Sequence, residues 1–365
     1  MGVFRLILAA AVVIAHSAPV PWLPLVNGGL AVKLFFMVSG FYMALILSGK
    51  YHCPKGIWLF YSNRFLRIFP IYWLVLELLL EWNWPALAAN GGALGLHRDV
   101  LHSAGPGALV ALLASEVGLL GNEVFSLLGW LPGHGWEVWS SNASEASLRG
   151  WKVIFMPHAW TLGCEVAFYL VAPWMNRWRT RWLILLVVCN LLIALFLNHL
   201  VDPRLAEVMC DYWAPLQMGF FASGMLGWRM LVRCPHLFAG KKAGGLIIGL
   251  ASVTFGFDLL SQMSNRGSLG LLFLVTALGI PALFQATRSI RWDRLVGDLS
   301  YPVYLCHLLV IRALHEVSSH WLRTDFLTTP WFPISAIILS CVFAWILAAF
   351  LEHPLDQLRQ RRLVA

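Results

Sequence analysis

The amino-acid sequence predicts an all-α polytopic membrane protein, with about ten transmembrane helices and one further helix that is re-entrant or lies on the membrane surface. Composition is the first reason, because 59% of the 365 residues are hydrophobic and only 12% are charged, whereas a soluble domain carries about 25% charged residues. The second is that apolar runs of about 17–25 residues, long enough to cross a bilayer, recur along the whole chain. The third is the presence of 19 Trp and 8 Tyr residues, which are typical of the aromatic belts at the two membrane surfaces.

The candidate spans follow one another with short connections. They lie near residues 3–19, 29–49, 64–84, 107–129, 158–175, 182–200, 213–232, 243–262, 267–286, 299–317 and 332–352. The run 107–129 is the weakest, because it follows a Gly-rich stretch and contains Glu116 and Glu123, and it is assigned as the re-entrant or surface helix. If it does cross, the helix at 158–175 is the non-spanning one. No repeat or linker is visible, so residues 1–365 are expected to form a single transmembrane domain without an appended soluble domain.

Basic residues between the spans predict the orientation of the chain. The positive-inside rule assigns Lys and Arg clusters to the cytoplasmic side, and ten spans put every cluster there together with both termini. The clusters are Lys50/Lys55/Arg64/Arg67, Arg177/Arg179/Arg181, Arg229/Arg233/Lys241/Lys242, Arg288/Arg291/Arg294 and Arg359/Arg361/Arg362. The net charge of +8 is therefore attributed to topology, and no nucleic-acid partner is expected.

The first helix carries two ionisable residues on one face. Arg5 and His16 delimit the run RLILAAAVVIAH, and eleven residues of helix rise about 16 Å and turn about three turns plus 20°. Arg5 is expected at the cytoplasmic interface and His16 beyond the bilayer midplane, where an ionisable side chain usually lines a polar cavity. A snorkelling Arg and a structural His are the simpler interpretation. The run also has the form of a secretory signal peptide, whose cleavage would remove both residues, but the later motifs favour a retained helix.

Two further motifs lie in or next to the second and third spans. Arg64 and Arg67 are one helical turn apart and share a face, which suits bidentate phosphate binding, although anchoring of the span explains a single Arg equally well. In the second span, Ser39-Gly40-Phe41 indicates either close helix packing or a passage for an acyl chain.

Polar residues also fall inside later spans. Glu165 lies in an apolar helix, and an intramembrane carboxylate indicates a functional site that needs a cationic or hydrogen-bonding partner. His307 is placed in mid-span, one to two turns after Ser300, Tyr301 and Tyr304, and Glu352 follows the last span at the cytoplasmic interface. The seven Cys are scattered without paired short spacings, so neither a disulfide framework nor a metal site is expected.

Six motifs in order resemble those of the acyltransferase-3 family of integral membrane acyltransferases. They are Arg5 and His16 with ten residues between them, FFMVSGF, RFLRIFPIYW, WTLGCEVAFYL, GDLSYPVYLCH and the terminal LEHP, and they extend over nearly the whole chain. Lys33 departs from the pattern, because members often carry another residue, sometimes acidic, before the Phe pair. The resemblance implies transfer of an acyl group, commonly acetyl, from cytoplasmic acyl-CoA to a hydroxyl of a surface or exported glycan.

The resemblance and the residues together suggest a layout. Arg5, Arg64, Arg67 and Ser39 are expected to bind acyl-CoA, which serves as a co-substrate. His16 is expected to act as general base, with Glu165 orienting the imidazole or binding the acceptor sugar. Three residues are expected to contact the substrate: Trp160, Tyr301 and His307. The expected partners are a glycan or lipid-linked saccharide acceptor and the bilayer of the bacterial inner membrane, with no permanently bound cofactor.

Alternatives from other classes are kept. A secondary transporter also uses intramembrane His, Glu and Arg side chains, but transporters usually show internal repeats, and none is found here. A non-catalytic scaffold and a membrane-bound O-acyltransferase are weaker candidates. His320 and Asp325 match the H-x4-D spacing of phospholipid acyltransferases, but in a predicted outer loop far from CoA. A covalent relay through Cys164 or Cys306 is less favoured than buried, inert thiols.

Overall fold

The computed structural model describes residues 1–49, 51, 56–88, 105–131, 134–143, 148–152, 154–263, 265–322 and 325–364. Helices dominate these residues. They are α1 (Gly2–His16), α2 (Gly28–Gly49), α3 (Gly56–Ala88), α4 (Pro106–Gly118), α5 (Asn122–Phe125), α6 (Trp160–Arg177), α7 (Thr180–Leu200), α8 (Pro203–Tyr212), α9 (Ala214–Arg233), α10 (Gly240–Phe255), α11 (Phe257–Met263), α12 (Asn265–Thr287), α13 (Arg291–Asp298), α14 (Ser300–Glu316), α15 (Trp331–Leu347) and α16 (His353–Val364). Four 3-10 turns (Gly150–Lys152, Pro157–Ala159, Pro235–Phe238 and Asp325–Thr328) and two π-helical turns (Val317–Leu322 and Ala348–Glu352) complete the helical elements.

The protein is a helical membrane protein. Within the described residues, five helical segments are long and apolar enough to cross a bilayer: Gly28–Gly49, Thr180–Leu200, Gly267–Thr287, Arg291–Ser319 and Trp331–Arg362. The outward apolar face of α7 is typical of a lipid-facing helix, since Leu191 is 60% exposed and Phe196 is 57% exposed. The count of ten spans and the cytoplasmic termini stay predictions.

The described residues agree with an all-α membrane protein and add one small sheet that the sequence did not predict. Residues 128–149 include three short antiparallel strands in the order β2-β1-β3: β1 (Leu128–Leu131), β2 (Gly135–Val138) and β3 (Leu148–Arg149). Trp130 faces Trp136 across the first pair, and their rings pack 5.2 Å apart at the centroids. Trp130 is completely buried with Leu112, Phe125 and Ile154, so this Trp-rich cluster stabilises the sheet.

The apolar run 107–129 does not form one helix. α4 ends at Gly118, and Leu119 adopts a left-handed conformation with φ 64°. Gly121 is also left-handed, with φ 84°, and the chain then enters the short helix α5. Thirteen residues of helix span only about 20 Å, which is less than the hydrocarbon core. The run 243–262 is likewise divided, because Gly256 separates α10 from α11.

The chain divides into two compact units. The first comprises residues 1–71, 178–184 and 220–365, and the second comprises residues 72–177 and 185–219. The prediction of a single transmembrane domain over residues 1–365 stays a prediction beside this division. The two units are described separately below.

In the first unit, α1 packs against α2, α13, α14 and α15. Asp293 of α13 caps the start of α1, because its carboxylate accepts hydrogen bonds from the backbone N–H groups of Gly2 at 2.8 Å and Val3 at 3.0 Å. A Cβ on Gly2 would lie 1.5 Å from the Asp293 carbonyl oxygen. Only glycine therefore allows this crossing, which fixes the position of Arg5 one turn further along α1.

The backbones of α2 and α9 are in direct contact. A Cβ on Gly40 would lie 1.9 Å from the carbonyl oxygen of Phe221, and one on Gly224 would lie 1.8 Å from that of Met37. Phe41 is completely buried beside this contact. Of the two interpretations of Ser39-Gly40-Phe41, close helix packing accounts for Gly40 and Phe41.

In the second unit, α3 and the segment before α6 hold the end of α4. The Tyr72 hydroxyl donates to the Glu116 carbonyl at 2.5 Å, and the Trp73 indole donates to the Val117 carbonyl at 2.9 Å. The Glu116 carboxylate accepts the Phe155 N–H at 3.1 Å. The buried Glu116 thus links three chain segments through hydrogen bonds. This role explains why a carboxylate occurs in this apolar run.

Candidate active site

Two histidines of the first unit come together at the end of α1. His16 is the last residue of α1 and its side chain is exposed, whereas His307 lies in the middle of α14 and is completely buried. Their ring centroids are 5.0 Å apart and the rings are tilted by 57°. The sequence suggested a role for each residue, and the packing of α1 against α14 places the two side by side.

Backbone hydrogen bonds define the tautomer of both rings. The Nδ1 atom of His16 lies 2.9 Å from the Val12 carbonyl, and that of His307 lies 2.6 Å from the Tyr304 carbonyl. Because a carbonyl oxygen can only accept, each Nδ1 carries the proton. The lone pair of each neutral ring is therefore on Nε2, the arrangement that a general base requires.

The other end of α1 carries Arg5 into a group of charges. Its guanidinium Nη1 lies 3.6 Å from the position of a Cβ on Gly297, so the side chain runs along α13. It interacts electrostatically with Arg67 of α3, Asp298 of α13 and Glu352. The structure therefore brings Arg5 and Arg67 close together in the first unit and adds two carboxylates to them.

Arg64 and Arg67 both lie in the unbroken helix α3, and both are half-buried. The Arg64 guanidinium lies over the Phe60 ring at 5.9 Å. Both arginines interact electrostatically with Arg359 of α16. Guanidinium groups gathered at one end of a membrane domain are a suitable environment for phosphate.

Ser39 and Tyr301 both lie at contacts between helices of the first unit. Ser39 is half-buried in α2 next to the Gly40 contact. The Tyr301 hydroxyl donates to the Ile68 carbonyl at 2.7 Å, which ties α14 to α3 within the first unit. The hydroxyl is thus used for packing, and substrate contacts of Ser39 and Tyr301 stay predictions.

Glu165 and Trp160 belong to α6 in the second unit. Glu165 is half-buried and accepts a short hydrogen bond from the Tyr169 hydroxyl one turn later. An intramembrane carboxylate needs a hydrogen-bonding partner, and one such partner of Glu165 is therefore a tyrosine on its own helix. Trp160 is half-buried and packs against Tyr212, with ring centroids 4.7 Å apart.

The two cysteine candidates are buried, and the H-x4-D candidate is described only in part. Cys164 is buried and donates to the Tyr212 carbonyl at 3.5 Å, and Cys306 is completely buried. The H-x4-D motif crosses residues 323–324, which lie outside the described residues. In the part of the chain that the structure describes, no three His, Cys, Asp or Glu side chains are grouped as metal ligands.

A class of protein follows from these features. The chain is a polytopic helical membrane protein in which one helix connects an arginine-rich end (Arg5, Arg64, Arg67 and Arg359) to a pair of imidazoles whose Nδ1 atoms are held by backbone carbonyls. The acyltransferase domain that defines the acyltransferase-3 family matches residues 1–349. The chain therefore belongs to this family. It is an acyltransferase, and this membership decides between an enzyme and a transporter.

Two curated proteins are similar over most of their length. The "Exopolysaccharide production protein ExoZ" of Rhizobium meliloti (strain 1021) is 28% identical over 295 residues, covering 78% of this chain and 77% of that protein. The "Nodulation protein 10" of Rhizobium leguminosarum bv. viciae is 23% identical over 347 residues, covering 90% of this chain and 82% of that protein. No solved structure matches significantly.

Several residues of the arginine-rich end were not predicted as site residues. Asp298 and Arg359 were noted only as parts of a motif and of a charge cluster, and Asp293 was not singled out. A sequence signal exists for the two aspartates, because Asp293 and Asp298 lie in the short segment RWDRLVGD immediately before a span. Arg359 has no such signal, because its burial distinguishes it from Arg361 and Arg362 only in three dimensions.

Proposed function

We propose that the protein is an inner-membrane O-acyltransferase that transfers an acyl group, most simply acetyl, from cytoplasmic acyl-CoA to a hydroxyl of an exported or surface glycan or a lipid-linked saccharide. Family membership supports acyl transfer. A glycan acceptor is supported by the relative whose name assigns it to exopolysaccharide production. The basic clusters between spans support a cytoplasmic position for the donor.

The observation that carries the proposal is the His16–His307 pair with both Nδ1 protons held by backbone carbonyls. In the proposed reaction, His16 Nε2 accepts the proton of the acceptor hydroxyl as its oxygen attacks the thioester carbonyl. The tetrahedral intermediate collapses with breakage of the C–S bond. The imidazolium then returns its proton to the departing CoA sulfur, so that the products are an ester and free CoA thiol.

The remaining candidates have supporting roles in this scheme. His307, buried against His16, holds the imidazole or the acceptor hydroxyl in place. Arg5, Arg64, Arg67 and Ser39 bind acyl-CoA, which is a co-substrate and no resident cofactor. Tyr301, Trp160 and Glu165 contribute to acceptor recognition, and Glu165 acts on turnover more than on donor binding.

Transfer itself is tested with purified full-length protein, acetyl-CoA labelled in the acetyl group, and a bacterial exopolysaccharide as acceptor. The proposal predicts that label enters the polysaccharide as an alkali-labile ester and that one free CoA thiol appears for each ester. The absence of both thiol release and label incorporation, with acceptors that include a lipid-linked saccharide, would contradict it. Label in the polysaccharide without thiol release would exclude CoA as the donor.

A further inference from the structure

The C-terminal helix α16 begins at His353, beyond the matched acyltransferase domain, which ends at residue 349. It contains three arginines of different exposure. Arg361 and Arg362 are exposed, whereas Arg359 is only 7% exposed. A buried guanidinium is unfavourable unless its donors and its charge are satisfied, so the burial of Arg359 needs a reason.

Within the described residues, only some of the hydrogen-bond donors of the Arg359 guanidinium have an acceptor. Its Nη2 lies 3.1 Å from Asp356 Oδ1, one turn earlier on α16, and that aspartate side chain is 44% exposed. Its Nε is buried and has no hydrogen-bond partner among the residues that the structure describes. A guanidinium offers a planar fork of five N–H donors, and one part of this fork is left without an acceptor.

The charges near Arg359 give the second observation. Arg359 interacts electrostatically with Arg64 and Arg67 of α3, and Arg67 in turn with Arg5 of α1. Glu352 and Asp298 reduce the repulsion among these groups. Three separate elements nevertheless bring like charges together, and such an arrangement is stabilised when an anion binds between them.

We propose that Arg359 is a third arginine of the phosphate site formed with Arg64 and Arg67, and that it binds a phosphate group of the CoA donor. The inference rests on the proposed use of acyl-CoA and extends the donor site to a helix outside the matched domain. Arg pairs with phosphate in a bidentate manner, and the unpaired Nε can supply one of the two donors of that geometry. CoA carries a diphosphate and a 3′-phosphate, and both have the chemistry that this site recognises.

The test compares Arg359→Gln with Arg361→Gln, which removes the same charge from the exposed face of the same helix. CoA, 3′-dephospho-CoA and pantetheine are titrated calorimetrically into the full-length protein in detergent without added lipid, so that no lipid phosphate competes. We expect Arg359→Gln to weaken CoA binding about ten- to hundredfold and Arg361→Gln to have little effect. Pantetheine, which carries no phosphate, should bind both variants as it binds the wild type.

The dephospho ligand identifies the phosphate. If Arg359 contacts the 3′-phosphate, the variant and the wild type bind 3′-dephospho-CoA equally, and if it contacts the diphosphate, the loss persists. Arg359→Lys keeps a positive charge next to Asp356 and should still bind CoA more weakly than wild type, because Lys lacks the fork. Unchanged pantetheine binding by both Arg359 variants controls for misfolding.

Equal CoA affinity of Arg359→Gln, Arg361→Gln and wild type would overturn the inference, as would an equal loss for CoA and pantetheine. Failure of the underlying function appears differently, because wild-type protein would then bind no CoA at all. The wild-type titration thus separates the two failures.

Discussion

At the residue scale, the hydrogen bonds of His16 and His307 determine which ring nitrogen is basic. Each Nδ1–H is directed to a carbonyl of its own helix one turn earlier. In this local geometry a backbone carbonyl holds each Nδ1 proton, the role that a carboxylate has in hydrolytic triads. His16 is exposed and His307 is buried, so His16 is the one that substrate can reach, and His307 is better suited to positioning.

Arg64 and Arg67 are expected to act as phosphate ligands, and Lys should therefore be unable to take over their function. Arg64→Lys or Arg67→Lys should raise the KM for acetyl-CoA about ten- to hundredfold, because a charged hydrogen bond contributes about 1.5–3 kcal/mol and Lys cannot reproduce the fork. The KM for the acceptor should change little. Steady-state kinetics measures both constants.

Arg179→Lys is the matched control, since Arg179 is exposed and lies between α6 and α7. It should leave both KM values unchanged. If Arg64→Lys and Arg67→Lys behave as this control does, the two arginines only anchor the span in the membrane.

Glu165 is expected to act on turnover. Glu165→Gln removes the negative charge but keeps the size of the side chain and an acceptor for the Tyr169 hydroxyl. The maximal rate should fall about tenfold to a hundredfold, because a misplaced acceptor hydroxyl reacts more slowly, while CoA affinity stays unchanged. Tyr169→Phe removes only the hydrogen bond and should have a smaller effect. A variant that loses CoA affinity at an unchanged maximal rate would assign Glu165 to the donor site instead.

At the element scale, glycines determine how the helices of the first unit approach one another. Gly40 and Gly224 bring α2 and α9 into backbone contact, and Gly2 and Gly297 do the same for α1 and α13. These contacts, with the Asp293 cap on α1, hold the helices that carry Arg5, Ser39 and His16. Rigid placement of site residues on helices is what a transfer reaction between two bound substrates requires.

Gly224→Ala should therefore destabilise the protein, because its Cβ would lie 1.8 Å from the Met37 carbonyl oxygen. The expected loss is about 1–3 kcal/mol, or failure to accumulate in the membrane. Gly245→Ala is the control, since nothing lies within 4 Å of a Cβ at that position of α10. Thermal unfolding in detergent measures both variants, and equal melting temperatures would show that α2 and α9 are not in close contact.

At the scale of the whole molecule, the features that could be predicted from the sequence are those that depend on helical periodicity or on composition. Arg5 and His16 lie on one unbroken helix, and Arg64 and Arg67 lie one turn apart on another. The approach of His307 to His16 depends on the packing of α1 against α14, which no local pattern encodes. The burial of Arg359 also arises only from tertiary structure.

The sheet at residues 128–149 was missed for a different reason. Apolar content alone does not separate a buried strand from the end of a helix, and the run 107–129 has the length of a single span. The left-handed residues Leu119 and Gly121 divide it, and Leu119 is not a residue type that signals such a turn.

The central claim is that His16 is the general base of acyl transfer, and the maximal rate of the His16→Ala variant tests it most directly. His199→Ala is the control, because His199 is an exposed histidine in the last turn of α7. With saturating acetyl-CoA and purified protein, His16→Ala should lower the rate of acetyl transfer about 10²–10⁴-fold, with CoA affinity and melting temperature unchanged, and His199→Ala should behave as wild type. A rate for His16→Ala within a few-fold of the wild-type rate would contradict the account.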